Sequence, residues 1–360
     1  MLRARLRLIA VALTLAWAGH GAAAGTLAEA QDAALAGDFA KAESILTGLA
    51  EAKDPAALRE LARLHLAGQA SASDPAQARS LLQQAVAQGF APAGLDLGYV
   101  LLQGIGGPAD PEAAREAFAA TALADPGNIE ARFMWGKTTL AIIKEPQDLP
   151  KAIAEIQLAA ARKFGPALAL VADFYLSGTF VAKDPQRAMS LYQEAYANGH
   201  LQSAMTVADL FAFGEMGTVD LVAAGNWYAR AASEGDAKAA YAIATLIYMD
   251  PQSGDEDLKR AFSFAQSAAL AWNEDAQMLL GRMYLDGRAV ARDPYEAFKW
   301  LDLAATSAVL DAHYLRAIAA RELGPELSAQ AREEARAWFE ANHATPHTHR
   351  LMNGAEHVFR

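Results

Sequence analysis

Apolar positions along the chain recur with helical spacing, and the helices recur with a longer period of their own. A small residue opens each copy at Ala57, Ala93, Ala131, Ala167, Ser203, Ala239, Ala276 and Ala312. A second small residue follows five positions later, as Ala62, Gly98, Gly136, Ala172, Ala208, Ala244, Gly281 and Ala317. The copies are 36 to 38 residues apart. Small residues on one helix face let another backbone come close, so each copy predicts a helix built to be packed on. Val and Ile sit inside these helical periods rather than in alternating runs, which predicts no strands.

A second helix is predicted in each of the first seven copies, opened by an aspartate. Asp74, Asp110, Asp184 and Asp293 each precede a proline, the combination expected of an N-cap and first helical position. Asp148, Asp220 and Asp257 fill the same slot without the proline. Alanine follows four residues after every cap, and Gly89, Gly165, Gly199 and Gly235 are expected to close second helices. Each copy thus reads as helix, short loop, helix. Such a pair cannot bury both apolar faces alone and must stack on its neighbours. The glycine-rich run Gln103–Pro111 falls in the inter-helix loop slot, and without a following Lys or a preceding strand it does not read as a phosphate cradle.

The motifs carry a resemblance. Ala276–Gly287 (AQMLLGRMYLDG) followed by Asp293–Ala305 (DPYEAFKWLDLAA) resembles the Sel-1-like repeat, a relative of the tetratricopeptide repeat, and Ala167–Gly199 and Ser203–Gly235 look similar. The resemblance implies an all-α fold: an α/α solenoid, a right-handed superhelix of about eight helix pairs of roughly 36 residues. It also implies an adaptor rather than an enzyme, with bacterial relatives in polysaccharide export, sensor-kinase regulation and host interaction. Residues 25–53 read as a leading atypical pair, 54–307 as the repeats, 308–342 as a last repeat with a capping helix, and 343–360 as an unpatterned tail.

The N-terminus reads as an address. Arg3, Arg5 and Arg7 precede an apolar run from Leu8 to Ala18, and Ala22-Ala23-Ala24 ends it. These are the three parts of a secretory signal peptide covering residues 1–24, cleaved near Ala24. The apolar run is too short to span a bilayer, so a bacterial periplasmic or secreted chain without stable membrane insertion is expected.

Composition narrows the chemistry. The chain has 360 residues, 31 Lys+Arg and 42 Asp+Glu, a formal charge of −11, and leader removal makes it −14. That balance argues against a broad grip on nucleic acid. With no cysteine, disulfides, thiolate metal sites and a cysteine nucleophile are excluded. No catalytic motif with its structural context is found, and no cofactor is expected. His343, His347, His349 and His357 cluster at the end, and imidazole suits Zn²⁺, Cu²⁺ or Ni²⁺, so they are candidate metal ligands. Trp227, Trp300, Tyr175, Tyr192, Tyr228 and Tyr284 occupy repeat-fixed positions expected of core packing.

The candidate functional surface is the first helix of each pair, which lines the concave side in tetratricopeptide-type folds. Positions two and six after the opening small residue share one stripe. The sixth positions are Arg63, Tyr99, Lys137, Asp173, Asp209, Thr245, Arg282 and Ile318; the second positions are Arg59, Leu95, Phe133, Ala169, Met205, Tyr241, Met278 and Tyr314. The groove candidates are Arg59, Arg63, Tyr99, Phe133, Lys137, Asp173, Asp209, Tyr241, Thr245, Arg282 and Tyr314, an apolar floor with basic patches towards both ends. Such a groove suits a protein or peptide partner. Glycan or peptidoglycan binding is the alternative, and a metal-dependent enzyme a more distant one. The second row could also be buried between adjacent repeats.

Overall fold

The computed structural model describes residues 25–142, 146–215, 217–306 and 310–343. Among them every regular element is helical. The signal peptide 1–24 and His347, His349 and His357 lie outside the described residues, as does the side chain of His343. The chain forms two compact units, divided after Arg162. Unit 1 contains α1 (Leu27–Leu35), α2 (Phe39–Glu51), α3 (Pro55–Leu66), α4 (Pro75–Ala87), α5 (Ala91–Gln103), α6 (Pro111–Ala124), α7 (Ile129–Ile142) and α8 (Leu149–Ala161). Unit 2 contains α9 (Gly165–Ser177), α10 (Pro185–Ala197), α11 (Ser203–Ala212), α12 (Leu221–Ser233), α13 (Ala237–Met249), α14 (Asp255–Leu270), α15 (Glu274–Asp286), α16 (Pro294–Ala304) and α17 (Leu310–His343).

Within each unit successive helices pack pairwise, first against second and second against the next first. The reason is visible at the fifth position. A Cβ on Gly98 would lie 2.4 Å from the Phe118 ring, one on Gly136 2.8 Å from Ile156, and one on Gly281 2.5 Å from Leu301. Phe118, Ile156 and Leu301 all stand eight residues after a second-helix aspartate, so one large side chain presses on one bare backbone in each pair. The α5–α6 pair interlocks at a second point by the same logic. Thr121 replaces the usual alanine on α6, and Gly94 on α5 lacks the Cβ that would meet its hydroxyl at 2.3 Å.

The caps follow the pattern with two exceptions. The carboxylates of Asp74, Asp110, Asp184, Asp220 and Asp293 accept backbone N–H groups of the first turn at 2.9–3.1 Å. Asp148 ends a short 3-10 turn and makes no side-chain cap bond. Asp257 lies inside α14, which starts at Asp255 after Gly254, because the preceding Pro251–Gly254 turn is shorter than its counterparts. Gly165 also departs from expectation. It opens α9, packed on the backbone of Asn198 and Ala195, and Lys163 takes the left-handed position that closes α8 (φ 60°). The glycine-rich run is an inter-helix loop. Gly106 rests on the start of α4, where a Cβ would be 2.2 Å from the Pro75 carbonyl oxygen, and Arg79 donates to the Pro108 carbonyl.

The last pair shifts register. Ala317 is exposed, whereas Ala312 and Ala319 are fully buried. Gly324 (φ 77°, ψ 173°) folds α17 back on itself at Pro325 without an inter-helix loop. That backbone conformation is open essentially to glycine alone. The close approach therefore moves nearer the fold-back point, where Ala319 meets the same buried cluster as Ala331. The second half of α17 then covers the end of unit 2: Trp338 lies 5.2 Å from Trp272 and 5.5 Å from Trp300, centroid to centroid.

Gly98→Ala is expected to destabilise unit 1 by about 1–3 kcal/mol through overpacking, with Phe118→Leu in the same chain recovering part of the loss; urea unfolding of the single and double variants measures both. Asp293→Ala is expected to cost about 1 kcal/mol as a lost cap, and Asp257→Ala less than about 0.5 kcal/mol, a ranking read from thermal melts.

Candidate functional site

In unit 1 the first helices α3, α5 and α7 are tied to one another by polar contacts along the predicted stripe. Arg59 Nε lies 2.6 Å from Asp96 Oδ2, and Arg63 donates to both oxygens of the same carboxylate at 2.9 and 3.2 Å. Asp96 is 2% exposed on a helix that is otherwise apolar, so its charge is held by two guanidiniums from the preceding repeat. Burial works against the Arg63 charge, but the Asp96 carboxylate outweighs it and raises the pKa above the usual arginine value. One repeat on, Tyr99 is buried with its ring edge-on to Phe118, and its hydroxyl donates to Glu130 at 2.7 Å. Burial and that carboxylate push the Tyr99 phenol up. Phe133 is buried, and Lys137 is exposed with its ammonium 5.7 Å from the Phe133 ring centroid. Arg59, Arg63, Tyr99 and Phe133 thus contribute to repeat stacking, and Lys137 remains at the surface.

Unit 2 uses the stripe differently. Asp173 on α9 and Asp209 on α11 each accept a hydrogen bond from the tyrosine of their own second helix, Tyr192 and Tyr228. Both tyrosines are buried at the slot eight residues after the cap aspartate, where Phe118 and Ile156 sit in unit 1. Burial and the adjacent carboxylates push both phenols up. Burial likewise raises the Asp173 carboxyl, with the Tyr192 hydroxyl opposing the shift. Further along, Tyr248 of α13 donates to Asp286 of α15 at 2.6 Å, and Arg282 lies 3.4 Å from the same aspartate. The Thr245 hydroxyl is buried and has no hydrogen-bond partner.

The second row in unit 2 is neither open nor closed. Ala169 is buried; Met205, Tyr241 and Met278 are half-buried, packing one side against the core. Tyr314 on α17 is 70% exposed. The stripe extends by one more turn than the sequence count assigned: Phe213 follows Asp209, and Met249 follows Thr245, at helical i+4 spacing, and they are 74% and 47% exposed. The aromatic residues read as core are engaged by neighbours. Tyr192 and Tyr228 are buried, Trp227 meets Tyr196 edge-on at 5.5 Å, and Tyr284 meets Phe262 in the same way.

Asp96, Glu130 and Tyr248 were not singled out by the stripe. A signal existed for Asp96, the one acid inside the apolar helix Ala91–Gln103. For the Tyr–Asp pairs it was the joint recurrence of tyrosine and aspartate, 19 residues apart, in two successive copies. Among the described residues no group of three His, Asp or Glu side chains is placed to hold a metal ion. No helix among them is long and apolar enough to cross a membrane.

The Sel1 repeat profile matches residues 55–90, 92–116, 165–200, 203–236, 237–271 and 274–308, more than half of the chain. The chain belongs to the Sel1 repeat family. The gap between the second and third matches holds α7 and α8, one of two pairs whose loop lacks the usual glycine, Ile142 and Asp250 standing in its place. The fold is similar to that of a Sel1 repeat protein from Oxalobacter formigenes, with a TM-score of 0.59, 25% identity, and coverage of 81% of this chain and 90% of that one. It is also similar to c5321, a protective antigen of uropathogenic Escherichia coli strains with an SLR fold, at a TM-score of 0.55 and 20% identity over 87% of this chain and 75% of that one. No curated protein sequence matches the chain. The Sel1 pairs form a repeat scaffold, an architecture that typically mediates protein–protein interaction.

Asp96→Ala is expected to cost about 3 kcal/mol, because it strands two guanidiniums in a partly buried site. Tyr228→Phe, which removes only a hydroxyl, is expected to cost about 1–2 kcal/mol. Chemical denaturation of the two variants checks the order.

Proposed function

We propose that the chain is a non-catalytic scaffold, exported to a bacterial periplasm or secreted, that takes a protein or peptide partner on the first-helix face of its Sel1 repeats. One observation carries this reading. In unit 2, Phe213 and Met249 hold the same slot at the ends of two successive first helices and are open to solvent, and Tyr314 on α17 is exposed as well. A repeated row of large apolar side chains at the surface marks an interaction site rather than scattered exposure. The arginines of the stripe are occupied, Arg59 and Arg63 by Asp96 in unit 1 and Arg282 by Asp286 in unit 2. The leader residues Met1–Ala24 support export.

The test is capture by the tagged mature chain from periplasmic extract after crosslinking. Phe213→Ser with Tyr314→Ser is expected to abolish recovery of the specific partner while leaving circular dichroism and melting temperature unchanged, since both residues lie at the surface. Undiminished recovery removes the proposal. Export is checked separately by intact mass of the expressed protein, expected to begin at Gly25 within a residue or two.

A further inference from the structure

Asp173 and Asp209 stand in a different electrostatic position from Asp96. They hold the same slot on α9 and α11, one repeat apart, and each is bonded to a buried tyrosine of its own pair. A phenol is neutral, so the hydrogen bond orients the carboxylate without cancelling its charge. Among the described residues neither aspartate forms an ion pair, whereas Asp96 is shared by two arginines. The next base along the same row, Arg282, is already beside Asp286. The row from α9 to α15 therefore carries an excess of negative charge.

Asp209 lies among apolar side chains. Met205 and Phe213 flank Asp209 one turn to either side, and Tyr241 and Met249 repeat those slots on α13. Apolar contacts supply the binding area here, and the unbalanced acids select the sign of charge that comes with it. We infer that the partner segment bound on this face is basic and apolar together, its Lys or Arg side chains pairing with Asp173 and Asp209 and its apolar side chains covering Met205, Tyr241 and Phe213. The inference rests on the docking reading above and adds the chemistry of the partner. Anionic lipid, nucleic acid and a second copy of this acidic face are disfavoured by the same charge.

The test uses fluorescence anisotropy with the mature chain and three labelled synthetic peptides. In the first, Lys recurs between Leu and Tyr; in its twins every Lys is replaced by Gln or by Glu. Asp173→Asn with Asp209→Asn removes both charges and keeps an oxygen that accepts from each tyrosine. The Lys peptide is expected to bind saturably, to weaken with added salt, and to lose at least about tenfold in affinity on the Asn variant. The Glu twin is expected to bind least. Equal affinity of the Lys and Gln peptides, or unchanged binding by the Asn variant, overturns the inference. If the Gln peptide binds as tightly and Phe213→Ser with Tyr314→Ser abolishes it, the docking reading survives and only the charge selection fails. If no peptide binds saturably, the inference falls, while the docking reading stands on its own capture experiment.

Discussion

In three of the pairs one large side chain of the second helix lies against the first helix where that helix carries glycine. Phe118 on Gly98, Ile156 on Gly136 and Leu301 on Gly281 are three copies of this contact. The contact sets how close the two helices lie, and closeness puts their remaining apolar faces in one plane for the next pair. A solenoid of this kind has no single central core. Its stability is the sum of such pair contacts and of the interfaces between neighbours. A cysteine-free sequence is compatible with that design, because no long-range staple is needed.

The proposed partner face inherits its geometry from the same contact. Where the pressing side chain is Phe118, it meets the ring of Tyr99 at the sixth position edge-on; where it is tyrosine, the ring reaches past the small residue and its hydroxyl meets the aspartate there. Tyr192–Asp173 and Tyr228–Asp209 are thus extensions of the packing contact into the surface. A packing residue thereby presents a charged residue in a fixed orientation. In unit 1 the same surface positions are spent on linking repeats, through Arg59, Arg63 and Asp96. The two units share one architecture and use equivalent positions for opposite ends, one inward and one outward.

The ends of the chain show what happens when the stacking rule meets a boundary. At the last pair Gly324 replaces a loop with a single reversal, and the small-residue contact slides from Ala317 to Ala319. The long second half of α17 then buries apolar surface that a further repeat would have covered, using Trp338 between Trp272 and Trp300. Polar contacts from its other face, such as Tyr295 to Glu334, lie at the surface and contribute less.

Much was legible along the chain by itself. Helix pairing, period, caps and the small-residue face follow from local rules, since 3.6-residue periodicity and an N-cap aspartate act within one or two turns. Family membership is legible for the same reason. The misplaced features, Gly165, Asp148, Asp257 and Ala317, all sit where a neighbouring turn changes length, which a fixed count along the chain cannot register. The candidate face divides the same way. Its stripe was countable, but whether Arg59, Tyr99 or Asp173 faces a partner or a neighbouring helix depends on residues 19 to 37 positions away. Tertiary structure alone decided that Asp96 is ion-paired and that, among the described residues, Asp209, bonded to Tyr228, is not, because an ion pair is settled by the approach of side chains from different helices, and no local periodicity encodes that approach.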